Sequence, residues 1–498
     1  MSFCNVAFIV AFALIVVTNS ARGDVTLPAI LGDHMVLQLG HELPFWGWAE
    51  PGEEVTVTIA PKDVGDIQKP ETVTAVTGTD GRWFAKLPAR TSAAAVEVTV
   101  AGKNTLSLTD ILVGDVWICS GQSNMEWPVS ASLNHQEEVA EAKFPSIRVF
   151  KVERSTARVP QTDIDGKWIE CSPETVGAVS AVGYYFGREL HQRLKRPIGL
   201  VQAALGGAIC EAWTSHEALK SDDDFAKILE RADRAISDPN QANNPNRASV
   251  LFNGMIAPLQ GFSTKQGFSI KGAIWYQGES NAIRAHQYRK LFPLMISDWR
   301  RRWGQGDFPF LYVQLANYVS EKTKPDHPDE PEESAWAELR EAQSMALSVP
   351  KTGMVVTVDI GEPRDIHPKN KQDVGHRLAL SAMKVAYGQD LVASGPELKS
   401  WHVVGNEIQL EFQHADGLDA RGDELNGFAV AGVDRVFVWA KARIEGKKVV
   451  VFAPHVLEPI AVRYAWGDNP DGNLYNRAGL PASPFRTDDW PGITAQNK

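Results

Sequence analysis

The stretch CSGQSNMEW, residues 119–127, decides the fold of this chain. It begins at the end of a short apolar segment, residues 116–119, whose strand-favouring side chains predict a buried strand of a parallel sheet. Ligands of open α/β sheets bind beyond the carboxyl ends of such strands, and Ser123 lies there. A helix that begins at Ser123 would present unpaired backbone N–H groups to a substrate. Ser123 is therefore the candidate nucleophile, although a serine after glycine is also a common turn or cap residue.

Apolar segments of the same kind recur along the middle of the chain. Further strands are predicted at residues 199–204, 273–276, 310–315 and 354–359. The intervening sequence has stretches with helical period, at residues 181–196 and 286–303. Polar or glycine-rich clusters follow most of the strands, and in a doubly wound sheet such clusters meet on one edge. The middle of the chain is therefore predicted to be an α/β domain with its functional site at that edge.

Strand patterns without long helical stretches flank the α/β region. Alternating segments such as residues 54–59 and 96–100, divided by Gly, Pro and Asp-Gly turns, predict a small N-terminal β-sandwich. Strand patterns return at residues 408–412 and 448–452. The predicted organisation is a signal peptide at residues 1–23, an N-terminal β-sandwich at 24–109, a catalytic α/β domain at 110–389 and a C-terminal β region at 390–498.

The first residues of the chain predict export. An uninterrupted apolar stretch runs from Val6 to Val17, and small and polar residues follow it, which is typical of a secretory signal. The apolar stretch is too short to span a bilayer comfortably. We therefore expect a secreted or periplasmic protein that has no membrane as a partner once the signal has been removed.

Composition and charge exclude several classes of function. The chain has 498 residues, of which 44% are hydrophobic and 22% are charged, as in ordinary globular proteins. The formal net charge of -11 disfavours nucleic acid and anionic membranes as partners. Removal of the signal peptide leaves Cys119, Cys171 and Cys210, which allow at most one disulfide. No spacing of Cys or His is typical of zinc ligands, so no metal or other cofactor is expected.

A serine nucleophile needs a base that accepts its proton and a third group that orients the base. His367 and Asp365 follow the last predicted strand of the sheet. Because they are two residues apart, they point to the same side of an extended segment. They are the candidate base and its orienting carboxylate. The ordinary alternatives are a turn residue for Asp365 and a buried histidine that bonds to the backbone for His367.

The oxyanion formed during ester hydrolysis needs hydrogen-bond donors that are already in place. The candidates are the backbone N–H groups of Ser123 and Gly207 and the side-chain amide of Gln277, with Asn281 as its substitute. A residue without a side chain, such as Gly207, lets the backbone approach a reacting carbonyl closely. A glycine pair serves a simple strand-to-loop turn equally well. Glu279 is expected to brace its loop rather than act as a general acid.

Aromatic and basic side chains near these clusters suit a sugar substrate. Aromatic rings cover the apolar faces of sugars, and an arginine binds a carboxylate through two parallel hydrogen bonds. The candidate substrate contacts are Trp127, Asn281 and Arg340. Most tryptophans are simply core residues, which is the alternative for Trp127.

With these residues assembled, the sequence resembles the sialate O-acetylesterase family, a branch of the SGNH hydrolases. The resemblance rests on short motifs that together cover nearly the whole chain after the signal peptide. They are HMVLQ at 34–38, FWGW at 45–48, GDVW at 114–117, GQSNM at 121–125, NGMIAP at 253–258, WYQGESN at 275–281, the segment 336–343, DIHP at 365–368, VRYAW at 462–466 and PFRT at 484–487.

The resemblance implies a flavodoxin-like, three-layer hydrolase core and a Ser-His-Asp mechanism that removes acetyl groups from sugar hydroxyls without a metal or organic cofactor. Ser123 would be acylated, and His367 would shuttle the proton. Two positions depart from the family pattern. Asp365 lies two residues before the histidine where many SGNH enzymes have three, so Glu362 or a backbone carbonyl could orient the ring instead. Ala208 follows the glycine pair where relatives often have threonine.

The sequence thus predicts an exported esterase that hydrolyses O-acetyl esters of sialic acids, with an acetylated sugar as its partner. An acetylxylan or other hemicellulose acetylesterase is the alternative among enzymes, because the same core hydrolyses an acetyl ester whatever sugar carries it. A non-catalytic glycan-binding protein is the alternative outside enzymes, with the flanking β regions as its working parts. The combination of Ser123, Asp365 and His367 disfavours this second alternative, because a binding protein does not need it.

Overall fold

The computed structural model describes residues 24–497 with gaps at 63–68, 237, 239–240, 242–243, 263–266, 320–324 and 327. The predicted signal peptide at residues 1–23 lies outside the described residues. Within those residues, no helix combines the length and the apolar character that crossing a membrane requires.

The N-terminal part of the chain folds as β-structure, as its alternating pattern predicts. Its strands are β1 (Val36–Gln38), β2 (Leu43–Trp48), β3 (Glu54–Pro61), β4 (Glu71–Val76), β5 (Arg82–Leu87) and β6 (Ala95–Ala101). Strand β3 pairs with β4 and β6, and β2 pairs with β5, all in antiparallel orientation. On β3, Val55, Val57 and Ile59 are buried and the residues between them are less so. One face of this strand therefore packs on the core.

A parallel sheet at the centre of the molecule carries the candidate site. Its strands are β7 (Thr105–Gly121), β8 (Phe144–Val152), β9 (Gly166–Cys171), β10 (Ile198–Ala204), β11 (Gly272–Tyr276), β12 (Phe310–Val313) and β13 (Thr352–Val355). They lie in the order β13-β12-β11-β7-β10-β8-β9, and all neighbours are parallel except β8 and β9. Without the edge hairpin β8–β9, this is the flavodoxin-like order 2-1-3-4-5. The predicted fold class is confirmed.

Helices cover both faces of this sheet. They are α1 (Ser123–Glu126), α2 (His135–Ala140), α3 (Ala181–Leu194), α4 (His216–Leu219), α5 (Ala226–Ile236), α6 (Ala285–Trp303), α7 (Ala335–Met345) and α8 (Lys371–Val385). On one face α3 and α8 pack so closely that a Cβ added to Gly375 would lie 2.6 Å from the Cβ of Tyr185. On the other face α6 packs beside α7, and the ring of Trp299 contacts that of Trp275 on β11. The result is a three-layer α/β structure.

Strand β7 joins the N-terminal β-structure to the central sheet. Its first part pairs with β1 and β6, and its second part pairs with β10 and β11. The predicted border between residues 109 and 110 falls inside this strand. The buried side chains on both sides of that border form one continuous apolar core, which extends from Val25 to Met383.

The C-terminal part of the chain folds as antiparallel sheets with an apolar core of their own, around Ile408, Val430 and Val462. The strands are β14 (Glu397–Val404), β15 (Glu407–Gln413), β16 (Asp419–Ala420), β17 (Phe428–Ala431), β18 (Phe437–Trp439), β19 (Lys441–Glu445), β20 (Lys448–Phe452), β21 (Ala461–Tyr464), β22 (Leu474–Tyr475) and β23 (Phe485–Arg486). Their orders are β14-β15-β20-β19, β18-β17-β21-β23 and β16-β22. The strand patterns of this region are thus borne out.

The described cysteines are free thiols. Cys119, Cys171 and Cys210 are all buried, and they form no disulfide with one another. Burial raises the pKa of the Cys171 thiol to about 12 and raises the pKa of the other two above their ordinary value. All three are therefore protonated at neutral pH, which makes them poor nucleophiles.

Candidate active site

Ser123 lies at the sharp turn between the central strand β7 and helix α1. The strand ends at Gly121, and the helix begins at Ser123 itself. At Gly121 the backbone has a φ of +136°, and an added Cβ would lie 2.1 Å from the carbonyl oxygen of Tyr276. Only glycine fits there, because both the conformation and the close approach exclude a side chain. The turn therefore presents Ser123 at the carboxyl edge of the sheet, as predicted.

His367 reaches Ser123 from the loop that connects β13 to α8. The Nε2 atom of its ring lies 2.8 Å from the Ser123 Oγ, which is a hydrogen-bond distance. Asn370 caps the helix that follows, since its side chain accepts a hydrogen bond from the backbone N–H of Asp373. We call Ser123 and His367 the reactive pair. Both side chains are half-buried, so solvent reaches the pair.

Asp365 lies near the ring of His367 without a hydrogen bond to it. Its Oδ1 is 3.8 Å from the His367 Nδ1, and the same oxygen accepts the backbone N–H of His367 at 2.9 Å. The distance to the ring is too long for a hydrogen bond. Glu362, the alternative orienting group, accepts the backbone N–H of Lys369. Both carboxylates therefore shape the loop of residues 356–370 between β13 and α8, which we call the base loop, and Asp365 also acts on the ring through its charge.

Trp127 stacks on the ring of His367. The two ring centroids are 4.8 Å apart and the planes differ by 15°. The indole Nε1 of Trp127 donates to the carbonyl oxygen of Ala131, which fixes the indole in place. This stack holds the plane of the imidazole while its Nε2 faces Ser123. Trp127 is half-buried, so its predicted contact with a sugar stays a prediction.

The surroundings of His367 favour its neutral form. Burial lowers the pKa of His367 from its ordinary value of 6.5, and the positive charge of Lys371 lowers it further. The charge of Asp365 opposes this change but does not cancel it. A neutral imidazole is the form that accepts a proton from a hydroxyl. The ring is therefore ready to act as a base at neutral pH.

The glycine pair after β10 lies beside Ser123. A Cβ added to Gly206 would be 3.5 Å from the Ser123 Cβ. The backbone N–H of Gly206 donates to Glu126 Oε2 at 2.9 Å, so it is already engaged. Gly207 is exposed and has a φ of +72°. A Cβ added to it would have no neighbouring atom within 4 Å. Its N–H is therefore the member of the pair that suits an oxyanion.

Gln277 and Asn281 belong to a different group of polar side chains, which we call the closed cluster. Its members are Glu211, Gln277, Asn281, Arg284 and Tyr288. The two N–H groups of the Gln277 amide donate to the carbonyl oxygen of Ala208 at 3.2 Å and to Asn281 Oδ1 at 2.7 Å. Its oxygen accepts the hydroxyl of Tyr288 at 3.0 Å.

The closed cluster turns its donors inward, away from an oxyanion or a substrate. The Asn281 amide donates to Glu211 Oε2 at 2.9 Å, and Arg284 donates to Glu211 Oε1 at 2.6 Å. Gln277 and Asn281 are buried to within 1% of complete burial. The roles predicted for them, as oxyanion donor and as its substitute or substrate contact, are therefore corrected. The cluster fixes the loops after β10 and β11 instead.

Arg340 does not face the site either. Its side chain is completely buried within α7 and its surroundings. Its guanidinium donates only to backbone carbonyl oxygens, those of Leu315, Ala316, Gly467 and Asp468. The predicted contact of Arg340 with a sugar carboxylate is corrected, because carbonyl groups already use its donors. Arg340 holds the C-terminal part of the chain against the end of β12.

Two residues that the sequence did not reveal lie next to the reactive pair. Asn124 donates to Glu279 Oε1 at 2.6 Å and to the carbonyl oxygen of Ile366 at 2.9 Å. Lys371, at the start of α8, donates to Asn124 Oδ1 at 2.6 Å and is completely buried. Glu279 thus braces its surroundings, as predicted. Asn124 could have been found from the sequence, because it directly follows Ser123. Lys371 could not, because a lysine in the first turn of a helix is usually solvated.

One group of potential metal ligands comes together among the described residues. It consists of His34, Asp110 and Glu170, far along the sheet from the reactive pair. Arg148 lies between them: its Nη1 is 2.5 Å from Asp110 Oδ2 and 3.3 Å from His34 Nδ1, and its Nη2 is 3.2 Å from Glu170 Oε1. The guanidinium therefore supplies the positive charge that these side chains require.

Fold and site together define a class of protein. A flavodoxin-like sheet carries a serine and a histidine in hydrogen-bond contact at its carboxyl edge, where enzymes with open α/β sheets bind their ligands. A family model described as carbohydrate esterase, sialic acid-specific acetylesterase, matches residues 113–384. The chain belongs to this family and is a carbohydrate esterase.

Relatives and a solved structure extend the similarity over almost the whole chain. The sialate O-acetylesterase of Mus musculus is 31% identical over 94% of this chain and 95% of the mouse protein. The sialate O-acetylesterase of Homo sapiens is 31% identical over 90% of each chain. The crystal structure of a carbohydrate acetylesterase from Xanthomonas citri has a TM-score of 0.82 and 40% identity, and covers 94% of this chain and 100% of that one. The flanking β regions are thus part of the similarity.

Proposed function

We propose that this esterase hydrolyses O-acetyl esters of sialic acids through an acetyl-serine intermediate. The observation that carries the proposal is the 2.8 Å contact between Ser123 Oγ and His367 Nε2 at the carboxyl edge of the sheet. Mammalian relatives that align over at least 90% of this chain are sialate O-acetylesterases. The reaction needs the hydroxyl of Ser123, the imidazole of His367, the acetyl ester and one water molecule. Each step below therefore uses groups of this chain, the substrate and water.

In the first half of the reaction, the Ser123 Oγ attacks the acetyl carbonyl carbon and its proton passes to His367 Nε2. The carbonyl oxygen becomes an oxyanion, which the backbone N–H groups of Ser123 and Gly207 stabilise by hydrogen bonds. The tetrahedral intermediate then breaks its bond to the sugar oxygen, and His367 returns the proton to that oxygen. The sugar leaves with a free hydroxyl group, and Ser123 carries the acetyl group.

In the second half, a water molecule attacks the acetyl carbon and gives its proton to His367 Nε2. The second tetrahedral intermediate breaks its bond to Ser123 Oγ, which takes the proton back, and acetate leaves. In both halves the imidazolium is stabilised by the charge of Asp365, whose Oδ1 lies 3.8 Å from the ring nitrogen. The stack with Trp127 keeps the ring in plane throughout.

Replacement of the nucleophile tests this mechanism directly. We expect the Ser123→Ala variant to lose acetate release from p-nitrophenyl acetate by at least about 1,000-fold, because no acetyl-enzyme forms. The matched control is Ser130→Ala, since Ser130 is exposed on the short turn that follows α1. A Ser123→Ala enzyme that releases acetate at the parental rate would show that the mechanism is wrong and that the nucleophile is another group.

A second candidate substrate class is acetylated plant polysaccharide. The Xanthomonas citri protein, which is 40% identical, is a carbohydrate acetylesterase, a class that is not limited to sialic acids. Acetate release from O-acetylated sialic acid and from acetylated xylan, measured side by side on the purified enzyme, separates the two classes. A kcat/KM at least about tenfold higher for the sialic acid supports the proposal, whereas equal values would remove the claim of sialate specificity.

We also propose export and a division of the chain into the regions 24–109, 110–389 and 390–498. An apolar N-terminal stretch supports export, and the separate apolar core of the C-terminal part supports the second border. Mass spectrometry of the protein recovered from the medium or periplasm is expected to find the N-terminus near residue 24. Limited proteolysis is expected to cut near residue 390 before it cuts β7, since β7 belongs to two parts of one core.

A further inference from the structure

Lys371 is a charged side chain that is buried next to the reactive pair. None of its surface is exposed, and its Nζ donates to Asn124 Oδ1 at 2.6 Å. The rings of Tyr276 and Trp127 lie 5.4 Å and 6.0 Å from the same nitrogen. Removing an ammonium group from water costs several kcal/mol unless charges and hydrogen bonds compensate. A lysine at this place therefore needs an explanation beyond the packing of α8.

The side-chain amide of Asn124 connects the turn of the nucleophile to the loop of the base. Asn124 directly follows Ser123, and its Nδ2 donates to the carbonyl oxygen of Ile366 at 2.9 Å. Ile366 directly precedes His367. One hydrogen bond thus joins the backbone next to the nucleophile to the backbone next to the base. It fixes the separation across which the 2.8 Å contact of the reactive pair forms.

Two charged side chains determine which way this amide points. A lysine ammonium only donates hydrogen bonds, and a carboxylate only accepts them. The Asn124 Oδ1 therefore faces Lys371, and its Nδ2 faces Glu279 Oε1 at 2.6 Å. If the amide were turned over, its nitrogen would face the ammonium and its oxygen would face a carboxylate and a carbonyl. Lys371 and Glu279 together exclude that state.

The charge of Lys371 also acts on the base. The titratable groups around Lys371 are Glu279 from the loop after β11, Glu362 and Asp365 from the base loop, and His367 itself. Burial lowers the pKa of Lys371 to about 7, so the side chain is charged over the acid range in which His367 titrates. A positive charge there disfavours a second positive charge on the imidazole.

We propose that Lys371 and Glu279 are positioning residues, which through Asn124 hold the base loop against the nucleophile turn, and that the charge of Lys371 keeps His367 neutral. The inference rests on the proposed function, because it concerns the same reactive pair. It assigns an effect on kcat and on the pH profile to the buried Lys371 and Asn124 and to the half-buried Glu279, none of which touches the ester.

The variants Lys371→Met and Asn124→Ala test the proposal, with p-nitrophenyl acetate as the substrate. Methionine has a similar length to lysine and no charge. We expect Lys371→Met to lower kcat about tenfold or more with KM within about twofold, because positioning acts on the chemical step rather than on binding. We expect the acid limb of its kcat/KM profile to move to higher pH, because the charge that disfavours protonation of His367 is gone.

Asn124→Ala is expected to lower kcat at least as much as Lys371→Met. In the double variant the two losses should not add, because both act through the same amide. The matched control is Lys369→Met, since Lys369 is exposed on the same loop. It should change neither kcat nor the acid limb. If Lys371→Met does not fold because the carboxylate of Glu279 loses the nearby positive charge, the double variant Lys371→Met/Glu279→Gln carries the same expectations.

The outcomes separate this inference from the proposed function. If Ser123→Ala keeps the parental rate of acetate release, the proposed function is overturned. If the parental enzyme depends on Ser123 but Lys371→Met keeps its kcat and its acid limb, this inference alone is wrong. A loss of kcat with an unmoved acid limb and a lowered melting temperature would mean that Lys371 is merely structural, which overturns the inference as well.

Discussion

Two groups of polar side chains lie at the carboxyl edge of the same sheet, and they differ in how many of their hydrogen-bonding atoms are engaged. Ser123 and His367, the reactive pair, are half-buried and share one hydrogen bond. One face of the His367 ring stacks on Trp127. In the closed cluster, Gln277 and Asn281 are buried and use both the donors and the acceptors of their amides. Both groups follow strand ends, so position in the fold does not separate them.

The difference predicts that polar groups after strand ends divide into those that react and those that hold the loops. A reactive atom must keep capacity to bind a substrate, so it is incompletely engaged and partly exposed. A structural polar group must satisfy its bonds, because an unsatisfied buried group costs about 1–3 kcal/mol. Removing a side chain of the first kind should therefore cost activity, and removing one of the second kind should cost stability.

The largest effect that tests this comparison is expected at the base. His367→Gln should lower kcat/KM by about 1,000-fold or more, because glutamine does not accept the proton of Ser123. The melting temperature should stay within about 2 °C of the parent, since the ring is half-buried and its hydrogen bond is to the half-buried hydroxyl of Ser123. Acetate release and thermal unfolding measure the two quantities. His376→Gln, at an exposed histidine paired with Glu189, is the control and should leave activity unchanged.

The opposite result is expected in the closed cluster. Glu211→Ala should lower the free energy of unfolding by about 3 kcal/mol, because the carboxylate that receives Arg284 and Asn281 is removed and the arginine charge is left without it. The kcat of the folded enzyme should remain within about threefold of the parent. Urea unfolding measures the first quantity, and Glu137→Ala, at an exposed glutamate, is the control. A large loss of kcat without a loss of stability would erase the distinction between the groups.

Much of the fold and the reactive pair could be predicted because their signals are local. An apolar segment that ends in glycine and serine shows both the strand and the turn, and the central strands were found in this way. Ser123 and His367 each follow such a segment, and parallel strands bring their ends to one edge. The hydrogen bond between them joins residues 244 positions apart, yet the topology alone makes it expected.

The remaining side chains could not be assigned because their partners are distant in sequence and unrelated to strand ends. The amide of Gln277 is engaged by Ala208, which is 69 positions away, and Arg340 donates to Gly467, which is 127 positions away. Nothing in the local sequence of Gln277 or Arg340 shows that these acceptors exist. The same holds for Lys371, which is buried beside Asn124, Trp127 and Tyr276, all more than 90 positions before it.

Gly207 gives a further test of the comparison between the two groups. It belongs to the glycine pair beside Ser123 and carries no side chain. Gly207→Ala places a Cβ on a residue whose φ is +72°, which costs about 1 kcal/mol and should displace the N–H that we propose as an oxyanion donor. We expect kcat to fall about tenfold. The matched control is Gly388→Ala, since Gly388 has a φ of +67°, has nothing within 4 Å of an added Cβ, and follows α8 on the surface.

Equal losses of stability in the two glycine variants, with a loss of kcat in Gly207→Ala alone, would support the oxyanion role. Thermal unfolding and steady-state kinetics on p-nitrophenyl acetate provide both numbers. If kcat is unchanged in Gly207→Ala, the second donor must come from elsewhere than this glycine.

The smallest effect is expected at Asp365, which belongs to neither group. Its Oδ1 is too far from the ring for a hydrogen bond, at 3.8 Å, and instead accepts the backbone N–H of His367. An asparagine side chain would keep an acceptor for that N–H, so Asp365→Asn should lower kcat only about threefold rather than the roughly 10,000-fold loss known where the carboxylate binds the ring. The negative charge of Asp365 raises the pKa of His367 against burial and Lys371. Its removal should therefore lower that pKa further.

Because only the neutral ring accepts the proton of Ser123, a lower pKa of His367 keeps the enzyme active to lower pH. The acid limb of kcat/KM in Asp365→Asn should move toward lower pH, opposite in sign to the change expected on loss of the Lys371 charge. Asp390→Asn, at an exposed position beyond α8, should leave the profile in place. A loss of about 1,000-fold in Asp365→Asn would instead mean that the carboxylate closes onto the ring during catalysis, and Asp365 would then belong to the reactive pair.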